Sequence, residues 1–234
     1  MSSNADNPPA YNEPPNTTLE PTTFLLSETN ILTETPNPTP LYTLSRAVAR
    51  LTKATKEVEF SRIEHTVTSP SDEPQDKPRA RHIYNLKYMV EVPGGLGAKV
   101  NGSTSPVLFL HSMSRRNLYS HVGIRRSRLH PYKKEMQVLP IELSEGENWG
   151  LPKFKKDAKP IFTIRTGDEG AEWMDGNGRV VAVEERSEEK EYRFVMMVEL
   201  ERGIVDVLVA LWCARVWQGA DEGREKVGEG IDEG

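Results

Sequence analysis

Along most of this chain, apolar residues alternate with polar ones in short runs. Only once do they crowd onto every side of a helix. The short runs predict strands. Thr23-Phe24-Leu25-Leu26 and Asn30-Ile31-Leu32 come first, and Pro36-Asn37-Pro38-Thr39-Pro40 then breaks the chain. Leu41-Tyr42-Thr43-Leu44 follows, and Glu57 to Ile63 alternates with period two. Ser45 to Lys56 fits either a helix or a strand. His82 to Val92 and Val107-Leu108-Phe109-Leu110 read as further strands, with a loop at Gly94, Gly95, Gly97 and Gly102 between them. Leu118 to Ile124, Gln137 to Leu143 and Pro160 to Arg165 continue the pattern.

The clearest hairpin joins Glu172-Trp173-Met174 to Arg179-Val180-Val181-Ala182-Val183 through Asp175-Gly176-Asn177-Gly178. In Tyr192 to Leu200, the last strand, Phe194, Met196, Val198 and Leu200 share one face. The exception is GIVDVLVALWCARVW, Gly203 to Trp217, where only Asp206 and Arg215 interrupt the apolar surface. As a helix it spans roughly 22 Å, short of the ~30 Å hydrocarbon core of a bilayer. A helix with no wet face must be surrounded by protein or lipid. Sheets of many strands tend to curl and close. A closed antiparallel barrel threaded by this helix therefore satisfies both patterns. Asp206 is expected in the first helical turn and Arg215 in the last, each favoured by the macrodipole.

Composition sets the limits of the domain. Prolines 8, 9, 14, 15 and 21 lie among polar residues, so residues 1–21 are expected to be a disordered tail. Residues 219–234 are rich in Gly and Glu and are expected to be an acidic disordered tail. The domain expected between them is 22–218, with a flexible proline-bearing insertion at 69–80. The chain has 234 residues, 28% charged and 36% hydrophobic, with a net charge of −5. That balance exerts no global pull toward nucleic acid or an anionic membrane. Cys213, the only cysteine, lies within the apolar helix. It excludes an intramolecular disulfide and suits a reducing compartment. Without a basic, apolar leader at Met1, the expected location is cytoplasmic, with nuclear or peripheral membrane placement as alternatives.

These features resemble the tubby C-terminal-like superfamily, which includes tubby domains, LURP-one-related proteins and phospholipid scramblases. The resemblance rests on the Trp173-to-Ala182 hairpin, on Phe194 to Leu200, and on the helix Ile204 to Val216 with its early Asp206. Phe24-Leu25-Leu26 and Pro40 to Leu44 fit the start less specifically. The clear match covers about the last fifty residues, the rest following by strand order. The resemblance implies a mainly β fold, a closed antiparallel barrel of about twelve strands around a central C-terminal helix. Tubby domains bind phosphoinositide head groups. Scramblase-like members carry palmitoylated cysteines, and this chain has no Cys-rich stretch. The resemblance brings no catalytic motif.

The strongest chemical signal is basic. Arg115, Arg116, Arg125, Arg126, Arg128, Lys133 and Lys134 fall in a stretch without one acid, interleaved with His121, His130, Tyr119 and Tyr132. Lys153, Lys155, Lys156 and Lys159 follow. Such cations can hold phosphate through charge-assisted hydrogen bonds. They are also the kind of residue that lines the wet faces of strands. Nucleic acid is disfavoured by overall acidity and few stacking aromatics.

Enzyme signals are weak. There is no Gly-x-Ser-x-Gly elbow. Gly94-Gly95-Leu96-Gly97-Ala98-Lys99 lacks the end of a phosphate loop, and the Asp175 turn fails as a calcium loop at Arg179 and Arg186. The histidines lack metal spacing. Glu184, Glu185, Glu188 and Glu189 read as a solvated turn. Trp173, Trp212 and Trp217 read as core, and Trp149 as partly exposed. The expectation is a non-enzymatic binding module without cofactor or metal. Its favoured ligand is an anionic phospholipid head group, held by the seven cations from Arg115 to Lys134. The rival is a protein-interaction or adaptor domain, and a barrel enzyme comes third.

Overall fold

The structure is a computed structural model that describes residues 17–52, 54–66, 77–89, 105–126, 135–143, 152–167, 170–186 and 191–229. Its strands, in order, are β1 (Thr18–Leu19), β2 (Thr23–Ser27), β3 (Asn30–Thr33), β4 (Pro40–Leu44), β5 (Glu57–Thr66), β6 (Lys77–Tyr88), β7 (Leu108–Ser112) and β8 (His121–Arg126). They continue with β9 (Glu135–Glu142), β10 (Lys153–Phe154), β11 (Phe162–Thr166), β12 (Gly170–Asp175), β13 (Val180–Arg186), β14 (Tyr192–Met196) and β15 (Leu200–Glu201). The helix α1 runs from Arg202 to Glu229.

Neighbouring strands pair antiparallel in the order β9-β11-β12-β13-β14-β2-β3-β4-β5-β6-β7-β8. Pairing of β8 back to β9 closes this into a barrel of twelve strands. β10 adds to the outside of β9, and β1 pairs with β15 just before the helix. Closure leaves the ring of strands without a free edge.

Antiparallel alternation gives the barrel two rims. We call the upper rim the one at which α1 begins. It receives the β7–β8 loop (113–120), the Asp175–Arg179 hairpin turn and the residues between β14 and α1. The end of β8, the start of β9 and the described residues between β4 and β5 fall on the lower rim.

The apolar helix threads this ring. Val205, the run Val207 to Ala214, Val216 and Trp217 are all buried, so burial goes all the way round. Inward residues of the strands surround it, among them Phe24, Ile31, Tyr42, Leu44, Val58, Phe60, Leu86 and Leu110. Phe194 stacks on Trp212 at 5.3 Å and meets Trp173 edge-on at 5.6 Å. Tyr88 meets Trp217 near the lower rim at 5.5 Å. Each large side chain so buried contributes about 1.5–3 kcal/mol.

A smaller apolar layer lies outside the wall. Phe109, Leu139 and Ile141 are buried but do not belong to the inner core. They stand on the outward face because successive residues of a strand point to opposite sides. Pro106 and Phe154 close over Gly123, where an added Cβ would stand 2.7 Å from Pro106 Cβ. Only glycine lets the roof come so near. Gly170 is constrained by backbone, with φ +154° and a notional Cβ 1.8 Å from the Glu184 carbonyl oxygen.

Several expectations change. Asp206 lies in the second turn, because the helix begins at Arg202, and Tyr42 and Arg62 bond it from the wall. Glu184 is no turn residue: it lies in β13 and bonds Arg215. Leu118 and Tyr119 belong to a loop, the strand starting at His121. Ser45 to Lys56 is mostly irregular, with one 3-10 turn at Val48–Arg50 whose Val48 is buried. β1 lies within 1–21 because Arg202 N–H donates to Thr17 O (2.9 Å) and β15 supplies a ladder. The helix continues past 218, to Glu229. Trp173, Trp212 and Trp217 are core as expected. Trp149, the glycine loop at 94–102 and residues 69–76 lie outside the described residues.

Candidate functional site

The strand β8 decides where the basic residues go. Arg115 and Arg116 precede it and are exposed on the upper rim. Arg125 and Arg126 end it at the lower rim, where Arg126 faces Met136 of β9. From His121 to Arg125 the chain descends about 13 Å at ~3.3 Å per residue. The backbones of Arg115 and Arg116 therefore lie toward one end of β8 and those of Arg125 and Arg126 at the other. Arg128, Lys133 and Lys134 lie outside the described residues.

From the lower part of β8 the Arg125 side chain donates from Nη2 to Gln137 Oε1 (2.8 Å) and reaches the Phe154 ring of β10, lying over it at 5.7 Å. Among the described residues no carboxylate pairs with it. The ring contact holds the guanidinium without neutralising it.

The upper rim gains cations that were set apart in sequence. β10 pairs with Ile141 and Glu142, the top of β9. Lys155 N–H donates to Pro140 O (2.9 Å), and Pro140 faces Val122, one residue below His121. The lysine segment thus runs along the upper part of β9, on the edge that β11 takes lower down, with β9 between it and β8. Lys153, Lys155, Lys156 and Lys159 are all exposed. Among the described residues, none of these upper-rim cations is paired with a carboxylate, although Asp157 sits in the same turn. The sequence held the signal, a lysine-rich run just after β9. Its place along the upper part of β9 depended on the β9–β10 pairing.

The loop 113–120 is braced. Asn117 Nδ2 donates to Ile83 O (2.8 Å) and to Ser112 Oγ (2.7 Å), and Ser112 Oγ donates to Ser114 O (2.8 Å). Tyr84 OH donates to Tyr119 O (3.1 Å). Leu118 leans on the first helical turn, its Cβ 3.1 Å from where a Cβ on Gly203 would lie.

Three other polar groups are built into the barrel. Asp206 accepts from Tyr42 OH (2.9 Å) and Arg62 Nη1 (2.9 Å), with Arg202 Nε at 3.6 Å. Arg62 also reaches Glu64 (2.6 Å), which Arg81 approaches at 3.3 Å. Burial pushes the Tyr42 phenol well above its usual range, and the adjoining Asp206 adds to this. Burial also works against the charge of Glu64, but Arg62 and then Arg81 outweigh it and hold the carboxyl below its usual value. Nearer the lower rim, Arg215 donates to Glu184 (2.7 Å), which also accepts from Trp173 Nε1 (2.8 Å).

On the outer wall, His111 and His121 face each other across β7 and β8, ring centroids 4.8 Å apart. Burial lowers the pKa of both, and Lys87 lowers each further, as His111 does for His121. His121 Nδ1 accepts from Ser112 N–H (3.2 Å), whereas His111 Nδ1 is buried without a hydrogen-bond partner among the described residues. Cys213 is fully buried, and burial pushes its thiol pKa up, so it is inert. Among the described residues no group of three or more His, Cys, Asp or Glu side chains converges to hold a metal. What the surface offers chemically, among the described residues, is exposed cations without carboxylate partners, with the Arg125 guanidinium held against Phe154 beside Lys153 and Lys155.

No family model matches the chain, and neither a curated protein nor a solved structure does.

Proposed function

We propose that this chain is a non-enzymatic binding module of the tubby-like kind that recognises anionic phospholipid head groups. The upper rim is the primary site on this reading, and Arg125, held over Phe154 next to Lys153 and Lys155, adds to it. The observation that carries it is the set of exposed cations, Arg115, Arg116, Lys153, Lys155, Lys156 and Lys159, without carboxylate partners among the described residues. A cation already paired offers little to an anion. An unpaired one near an anionic bilayer is worth about 1 kcal/mol. The filled interior adds support, because side chains from the wall and helix occupy the space a lipocalin-like barrel would give to a ligand. The closed barrel with its central helix is compatible with the superfamily suggested by the sequence.

Co-sedimentation with vesicles tests the reading. Phosphatidylcholine vesicles containing phosphatidylserine or phosphatidylinositol bisphosphate should retain the protein, plain phosphatidylcholine should not, and salt should weaken retention. Reversing Arg115, Arg116, Lys153 and Lys156 to Glu should lower partitioning by at least about a hundredfold. An Arg125→Glu/Arg126→Glu variant measures the share of the arginines that end β8. Retention that ignores lipid charge, or survives both sets of reversals, would reject the proposal.

A further inference from the structure

Among the described residues, the large apolar side chains left exposed are Met113, Leu118 and Met197, at 47%, 47% and 51%. All three lie on the upper rim. Met113 and Leu118 flank Arg115 and Arg116 on the braced loop, and Met197 follows β14 just before the helix. Chance scatter would place exposed apolar residues around the barrel. Here they share a rim with the unpaired cations.

The loop is not free to fold these side chains away. Met113 N–H is bonded to Ile83 O (2.9 Å), and Ser112 N–H to Ser120 O (2.9 Å), so both loop ends are tied to the wall. Asn117 ties its middle, and Arg116 N–H donates to Ser114 Oγ (3.2 Å). Leu118 is propped from behind by the helix start at Gly203. A stiff loop that holds apolar tips in water loses little conformational entropy when those tips are buried.

We infer that Met113 and Leu118 insert into the acyl boundary of an anionic bilayer, while Arg115 and Arg116 engage its phosphates. The inference rests on the lipid reading above and adds to it an orientation and a depth. Charge alone would hold the barrel at the head-group surface in any attitude. Apolar tips beside basic side chains match the layering of a bilayer, with phosphate outside and hydrocarbon within. The guanidinium stems are long enough to stay at the phosphate level as the tips sink. A soluble inositol phosphate would satisfy the cations and leave the apolar tips in water, so the surface fits a bilayer better than a free anion.

The test places an environment-sensitive dye on Met113→Cys, in the full chain, with mixed phosphatidylcholine and phosphatidylserine vesicles. Cys213 is buried and stays unlabelled. Binding should blue-shift the dye and expose it to quenching by nitroxides on the acyl chains. A Met113→Ser/Leu118→Ser variant should melt like the parent and bind about ten- to a hundredfold more weakly with its salt dependence unchanged. Vesicle binding with the dye still in water, or a double variant that binds as the parent does, would overturn insertion and leave head-group recognition intact. Failure of the parent to bind any anionic vesicle would overturn both.

Discussion

Asp206 is the residue on which the helix is pinned. A carboxylate on an otherwise apolar helix carries a desolvation cost of several kcal/mol, repaid only by close partners. Arg62, Tyr42 and Arg202 supply them, and Glu64 with Arg81 extends the chain of charges outward. Removing Arg62 leaves the charge buried with weaker support. Arg62→Met should therefore cost about 3–5 kcal/mol in urea unfolding, and Arg62→Met/Asp206→Leu should regain most of it. A double variant as unstable as the single one would mean the loss is one of packing. The His111–His121 pair sets a pH dependence. Its folded pKa values lie below the usual one, so unfolded histidines take protons first as pH falls. Stability from the pair is complete above about pH 6.5 and is lost as pH drops toward the folded values. Lys87 and Glu57 are the charges that face it, with opposite effects on His111. The melting temperature should fall between pH 7 and pH 5, and less steeply in His121→Gln.

At the scale of elements, the helix and the sheet complete each other. The strands are short and bury one face, which no single hairpin of them can do alone. α1 offers a surface apolar in every direction, and Leu208 is wholly buried within it. Leu208→Asp puts a charge where no partner reaches, at a cost comparable to the 5–15 kcal/mol of a whole domain. Circular dichroism should show no cooperative melt. A soluble Leu208→Asp variant that melts cooperatively would show that the barrel stands without its helix. This element was legible because its pattern admits only two environments, protein or lipid; the helix as folded, with Arg202–Ala220 long and apolar enough to cross a membrane, is enclosed by the barrel wall instead. The Asp175–Gly178 hairpin was legible because its turn chemistry is local: Asp175 Oδ1 accepts from Asn177 N–H (2.9 Å) and Arg179 N–H (3.0 Å). Leu118–Tyr119 was not, since apolar residues of a propped loop look like a strand start.

At the scale of the molecule, closure determines which residues meet. Arg116 and Arg125 are near in sequence, yet β8 carries their backbones toward opposite ends. Lys155 is farther along, yet the β9–β10 pairing bonds its backbone to Pro140 on β9, the strand next to β8. A run of like charges in sequence thus says little about a surface when a strand lies inside the run. The partners of Asp206 were equally hidden, Tyr42 lying 164 positions away. Closure also orders events during synthesis. β2 is made early, and its neighbour β14 only after nearly all the other strands. At about 5–20 residues per second, the wait is on the order of ten seconds or more. For that time a nascent β2 offers an unpaired edge, and the wall has no helix to close around. The same ring that leaves the finished barrel without edges therefore concentrates its risk of misassembly at the ribosome.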